Sequence, residues 1–307
     1  MIEIVRAGPL ATVQDLGRPG WRDRGLSLCG ALDAFALQAG NLLVGNAPGA
    51  AAVEFTLAAA TLRFHADACI AVTGTDADAH LDGRPVRAWW RQHVRAGQTL
   101  KLAAPRERMR SYVAVAGGLA LPAALGSLST DLKGGFGGLE GRALRDGDRL
   151  PLNPCPALPA RRVGMRPPDW TPEVRALPGP EHDDFAADAF WASDWTVTPQ
   201  SNRMGYRLAG PALQRERGEE LASHGVLPGV VQVPPSGQPI ALLADAQTTG
   251  GYPKIAVVIR ADLWKLGQLR LGARLRFVRC TPDEALAALR DQRLLLNQMS
   301  TALCMST

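Results

Sequence analysis

The sequence predicts a mainly β protein of two domains, and three observations carry that expectation. Short runs rich in β-branched and aromatic residues recur along the 307 residues, at 2–6, 53–57, 61–64, 69–73, 111–116, 195–198, 240–243, 255–259 and 274–279. With 32 Gly and 23 Pro, the chain favours many short connections over long helices. The stretch 153–174 carries six prolines and no periodicity, which reads as a linker. Domains are therefore expected at 1–155 and 170–307, as barrels or sandwiches that hide their edges.

Two helices interrupt the strands. Over 32–44, Leu32, Phe35, Ala36, Ala39 and Leu43 recur at helical spacing, and Gly45 and Asn46 supply a stop. Asp33 suits the helix start, where the dipole favours a negative charge. A second helix opens on a capping box, with Thr281 as cap, Pro282 first and Glu284 three residues on. It is expected to run to about residue 296. One turn pattern recurs: Arg95-Ala-Gly-Gln-Thr-Leu, Arg145-Asp-Gly-Asp-Arg-Leu and Leu271-Gly-Ala-Arg-Leu-Arg each set a tight Gly turn before a strand. Its presence in both halves hints at two related barrels.

Composition narrows the function. The net charge is +5, yet the arginines are scattered and form no basic arm, so nucleic acid is not an expected partner. The five cysteines are widely spaced and lack a C-x-x-C pair, which argues against a disulfide framework and against zinc. No metal is expected, and a reducing cytoplasm fits. The opening MIEIVRAGPL reads as a strand and not as a signal peptide. No apolar run approaches the roughly 20 residues of a membrane helix. The chain contains no phosphate-binding P-loop, dinucleotide fingerprint, H-E-x-x-H, nucleophile elbow or Met-Lys-Met biotinylation context. A self-contained enzyme of a common class is disfavoured.

A dense polar cluster lies in the second half. It comprises Ser201-Asn-Arg-Met-Gly-Tyr-Arg-Leu, Ser223-His-Gly, Val231-Gln-Val-Pro-Pro-Ser-Gly-Gln-Pro-Ile and Ala244-Asp-Ala-Gln-Thr-Thr-Gly-Gly-Tyr-Pro-Lys. Amide, hydroxyl and cationic side chains beside glycines suit a neutral amide or carboxylate ligand, because glycine lets the backbone approach. The bland alternatives stay open. Arg203 and Arg207 equally fit surface ion pairs, Tyr206 a core edge and His224 a loop. Gln232 alternates with Val231 and Val233 and faces either solvent or a site. Thr248, Thr249, Gly250 and Gly251 equally serve a turn, whereas Asp245 and Gln247 follow a buried strand where barrel sites are built. A second cluster gathers Gln14, Asp15 and Arg18, with Asp33, Asn41, Asn46 and Glu54 further on. The Gly-rich segment 127–141 reads as flexible, either a lid or partner-contacting loop or a solvated one.

Taken together, the motifs identify a family resemblance. They are Gln14-Asp-Leu-Gly-Arg-Pro-Gly, Gly30-Ala-Leu-Asp with Asn41 and Gly45-Asn46, Ser111-Tyr-Val-Ala-Val-Ala-Gly-Gly, Leu125-Gly-Ser with Ser129-Thr-Asp, Asn202-Arg-Met-Gly-Tyr-Arg-Leu, Gln232-Val-Pro and Gln247-Thr-Thr-Gly-Gly-Tyr-Pro. They resemble the allophanate hydrolase subunit 2-like family, also called the biotin-dependent carboxyltransferase family, over nearly the whole chain. The resemblance implies two cyclophilin-like β-barrel domains. It also implies work beside partners. In an ATP-dependent 5-oxoprolinase, a KipA-like C-type subunit opens 5-oxoproline to glutamate together with A-type and KipI-like B-type subunits, with ATP shared with a partner. In urea carboxylase relatives, the same module moves a carboxyl group from biotin to urea. Because biotin-bearing parts are missing here, the stand-alone subunit is the expected form. Two readings compete: a biotin-dependent carboxyltransferase for urea or a related amide, the only reading that calls for biotin, and a non-catalytic regulator that antagonises a kinase-inhibitor partner. A prolyl isomerase would rest on fold analogy alone.

On this footing, Asp245, Gln247, Lys254 and Arg203 are the expected catalytic residues. Asp245 and Gln247 would orient the lactam, while Lys254, Arg203 and the Gly250–Gly251 amides would neutralise a transferring phosphoryl group. Tyr206, Gln232, His224, Thr248, Thr249, Gly250, Gly251 and Tyr252 are the expected substrate contacts, with Gln14, Asp15 and Arg18.

Overall fold

The computed structural model describes residues 1–57, 59–75, 78–155, 161–186, 188–216 and 221–304. The chain divides into two compact units. Met1–Arg18, Cys29–Pro168 and the chain from Leu294 form one; Pro19–Leu28 and Asp169–Arg293 form the other.

The first unit holds β1 (Ile2–Arg6), β2 (Leu10–Gln14), α1 (Ala34–Leu43), β3 (Ala52–Thr56), β4 (Ala60–Phe64), β5 (Ala68–Gly74), β6 (Ala79–Leu81), β7 (Arg84–Val86), β8 (Arg91–Val94), β9 (Thr99–Leu102), β10 (Arg110–Val115) and β11 (Arg149–Leu150). They make a six-stranded sheet ordered β11-β1-β4-β9-β6-β7 and a five-stranded sheet ordered β2-β3-β10-β5-β8. Strand side chains alternate between faces, so Ile2, Ile4, Leu62 and Phe64 of one sheet meet Val13, Val53, Phe55 and Val113 of the other in one core.

The second unit holds β12 (Glu173–Pro178), α2 (Ala189–Ala192), β13 (Asp194–Val197), β14 (Gly205–Ala209), β15 (His224–Gly225), β16 (Val230–Gln232), β17 (Ile240–Leu242), β18 (Thr249–Gly250), β19 (Lys254–Val258), α3 (Leu263–Gln268), β20 (Arg274–Arg279) and the start of α4 (Pro282–Cys304). Seven strands close a barrel in the order β12-β19-β16-β17-β14-β13-β20. A parallel pairing of β12 with β20 shuts it, from Glu173 opposite Arg276 to Ala176 opposite Arg279. Closure leaves none of its strands with an unpaired edge. Phe190 of α2 stacks on Phe277 at 4.7 Å, and Trp195 donates its indole N–H to Phe190 O at 3.1 Å. β15 and β18 pair apart from the barrel as a two-stranded ribbon.

The mainly β expectation is met, and the strands anticipated from β-branched runs fall within a residue of those observed. Helix α1 begins at Ala34 because Asp33 caps it, its Oδ1 accepting from Ala36 N at 2.8 Å. Gly45 ends it at φ +81°. The capping box forms as expected: Glu284 N donates to Thr281 Oγ1 at 3.2 Å, and Glu284 Oε2 accepts from Thr281 N at 2.7 Å. Helix α4 then runs on past 296 to Cys304, because 297–304 contains neither Gly nor Pro to stop it. The three recurring turns are also real. Gly97, Gly147 and Gly272 sit at φ +87°, +89° and +83° and lead into β9, β11 and β20. Among the described residues, no helix is long and apolar enough to cross a membrane.

Candidate functional site

In the second unit, six of the expected residues form a connected polar system. Gln232, at the end of β16, is 1% exposed. Its Oε1 accepts from Gln247 Nε2 at 3.4 Å. Both amides line a cavity of about 210 Å³, with Tyr252 at its half-exposed edge and Met204, Ile240 and Leu242 as apolar wall. Gln232 Nε2 finds no acceptor among the described residues. Gly250 packs against this amide so closely that a Cβ there would fall 2.5 Å from Gln232 Nε2. The close backbone approach expected of the Gly pair is thus used at Gly250.

Gly250 also joins the amides to a cation. Its carbonyl accepts from Lys254 Nζ at 3.2 Å, and Lys254 Nζ lies 3.1 Å from His224 Nδ1. The ribbon makes this possible: β15 pairs His224 opposite Gly250 and Gly225 opposite Thr249, while Thr248 O accepts from Val226 N at 2.9 Å. Thr249 itself is exposed, and Gly251 lies against Leu221 O and Ser223. Lys254 is 2% exposed. Burial pushes its ammonium below the ordinary lysine range, and the nearby Glu181 carboxylate partly restores it.

Three expected site residues sit elsewhere. Arg203 and Asp245 form a buried two-pronged pair, Nε to Oδ2 at 2.8 Å and Nη2 to Oδ1 at 3.0 Å. Tyr206 is buried within the barrel and donates its hydroxyl to Leu269 O at 3.2 Å; it does not line the cavity.

Residues 19–28 contribute two side chains that sequence reasoning missed. Arg22 Nη2 donates to Val226 O and to Gln247 O, at 2.5 and 3.0 Å. Ser27 Oγ donates to Asp245 O at 3.2 Å and to Ala246 O at 3.1 Å. Together they hold three successive carbonyls of the 245–247 loop. The contacts span more than 200 residues of sequence, so no local pattern signals them. Arg207 stands out in the sequence only as a neighbour of Arg203. It alternates with buried Tyr206 and Leu208 on β14 and therefore points outward, onto the amide cavity and a neighbouring one of about 400 Å³.

The N-terminal trio belongs to the first unit, where it organises the 127–141 segment. Asp15 accepts from Gly17 N, Ser127 Oγ, Leu128 N and Ser129 Oγ, all within 2.5–2.7 Å. Arg18 bonds to Ser129 O and lies 4.7 Å over the Phe136 ring. Gln14 donates to Thr12 Oγ1 at 3.1 Å and to Thr130 O at 3.4 Å. The expectation of a flexible or solvated loop is corrected for part of the segment: Ser127, Ser129 and Thr130 are fully buried and Gly135, Gly137, Gly138 and Gly141 serve left-handed turns, while 132–135 are exposed. Glu54 accepts from Tyr112 Oη at 2.7 Å and from Leu32 N at 3.1 Å, and Tyr112 Oη in turn accepts from Asp33 N at 2.8 Å. This buried network ties β3 and β10 to the start of α1.

Comparison with known proteins agrees with the architecture. Residues 24–279 match the model of the carboxyltransferase domain, subdomain A and B. The chain is 52% identical over 303 residues to the C-type subunit of 5-oxoprolinase from Escherichia coli strain K12, covering 98% of each. It is 34% identical over 299 residues to a putative urea carboxylase of Emericella nidulans, covering 90% of this chain and 24% of that protein. Among solved structures, the K. lactis urea amidolyase superposes with a TM-score of 0.90 at 28% identity, over 97% of this chain and 20% of that one.

Proposed function

The chain belongs to the carboxyltransferase-domain family, subdomains A and B, and from that premise we propose that it is the C-type subunit of an ATP-dependent 5-oxoprolinase. In this reading it opens 5-oxoproline to glutamate together with the A-type and B-type subunits and is inactive alone. The carrying observation is 52% identity to the C-type subunit of a 5-oxoprolinase, across 98% of both chains. The barrel cavity supports the reading. At about 210 Å³ it is smaller than the roughly 300–1,000 Å³ of drug-sized sites, and its paired amides match a small lactam.

A lactam resists hydrolysis because nitrogen feeds its carbonyl. Transfer of the ATP γ-phosphoryl group to the carbonyl oxygen removes that resistance and releases ADP. Water then adds to the same carbon, and the amine leaves with a proton. A second water cleaves the acyl phosphate to glutamate and phosphate. The main catalytic demand is neutralising charge on the transferring phosphoryl group. Lys254 suits that task, with Nζ held by Gly250 O and beside His224. Arg203, already joined to Asp245, fits better as a brace for the loop that carries Gln247.

The test is ATP-dependent glutamate release from 5-oxoproline by this chain alone, then after addition of the A-type and B-type subunits. Release in the full mixture alone supports the proposal; none in the full mixture overturns it. The likeness to a urea carboxylase favours one second reading, carboxyl transfer from a biotin carried on another chain. That reading requires avidin-sensitive carboxylation of urea or a related amide.

A further inference from the structure

The amide cavity makes three separate demands on whatever fills it. The first is a hydrogen-bond acceptor. Because Gln232 Oε1 is already fixed by Gln247, the unpartnered group is the Nε2 donor, buried where water does not readily serve it. The second is an apolar body to cover Met204, Ile240 and Leu242. The third is negative charge. Arg207 lines the cavity and has no ion-pair partner among the described residues, and no Asp or Glu is among the lining side chains.

We propose that this cavity is the specificity subsite for a carboxylate-bearing lactam, with Gln232 Nε2 donating to the ring carbonyl and Arg207 receiving the carboxylate. The proposal rests on the 5-oxoprolinase reading and adds the residues that recognise the substrate. The ring methylenes cover the apolar wall. Urea meets only the first demand, since it has neither an apolar body nor a charge. A neutral lactam such as 2-pyrrolidinone meets the first two, which makes it the probe that isolates Arg207.

The experiment uses the complete complex reconstituted with this chain as wild type, Arg207→Gln, Arg207→Lys and Gln232→Leu. KM is measured for 5-oxoproline and for ATP, along with the inhibition constant of 2-pyrrolidinone. Arg207→Gln should raise KM for 5-oxoproline about 10- to 100-fold, the range of a charged hydrogen bond, and leave the 2-pyrrolidinone constant and KM for ATP unchanged. Arg207→Lys should recover part of the loss. Gln232→Leu should weaken both lactams alike. Arg207 is exposed, so its variants test recognition and not folding. An unchanged KM for 5-oxoproline in Arg207→Gln overturns the proposal, as does a shift confined to ATP, which would make Arg207 a phosphate ligand. If the wild-type complex releases no glutamate, the 5-oxoprolinase reading itself fails.

Discussion

Lys254 shows how a single buried group couples chemistry to stability. It binds its proton less tightly in the folded chain than in the unfolded one, whose lysine keeps a value near 10.5. Between the lowered value and 10.5 the unfolded state therefore holds more protons, and stability rises with pH across that window. Lys254→Met should flatten this rise, read as Tm against pH on the alkaline side up to 10.5, and should also abolish turnover in the complex. A rise of the same slope in the variant would deny Lys254 its burial. Tyr112 makes the opposite kind of case. Its hydroxyl serves both Glu54 and the backbone of Asp33, so Tyr112→Phe leaves a buried carboxylate short of a donor. The expected cost is about 1–3 kcal/mol in urea denaturation. At this scale the sequence shows which residue types matter, but not which are spent on each other. Asp245 and Arg203 lie 42 residues apart, and their pairing depends on a strand crossing that neither local sequence encodes.

At the scale of elements, the legible features are those whose physics is local. The capping box needs four residues, and it forms as expected. Thr281→Ala should lower stability by about 1 kcal/mol, measured by thermal denaturation followed by helix circular dichroism. The bonds from Thr281 hold the Glu284 carboxyl below its ordinary range. Their contribution is therefore present at neutral pH and is lost as pH falls through that lowered value. The segment 127–141 misleads a sequence reading, because glycine signals freedom there and shape requires it instead. Gly137 sits at φ +72°, and a Cβ there would lie 2.2 Å from Ser129 O. Gly137→Ala should cost about 1–3 kcal/mol from backbone conformation alone and more from the clash, visible as a lowered urea midpoint. The short strands 84–86 and 91–94 do not stand out in the sequence, because arginine and histidine are prominent in them and pairing partners make them strands.

At the scale of the molecule, the β class follows from turn residues and β-branched runs, which act everywhere along the chain. The division into units obeys a rule that composition does not carry, since residues 19–28 are counted with the second unit and not with their neighbours. The cysteines likewise carry a consequence for the whole chain. No disulfide joins Cys29, Cys69, Cys155 or Cys280, and burial pushes the Cys69 thiol up to about 11. Reductant should leave Tm unchanged, and iodoacetamide at mildly alkaline pH should modify half-buried Cys155 before Cys29, Cys69 or Cys280, as mapped by peptide mass spectrometry.

The crossing of residues 19–28 also has a temporal side. Arg22 and Val226 lie 204 residues apart, and a ribosome adds roughly 5–20 residues each second. The early segment therefore emerges roughly 10–40 s before the loop it fastens exists. The second unit therefore joins segments made far apart in time, and residues 19–28 find their hydrogen-bond partners only once residues 226–247 have been made.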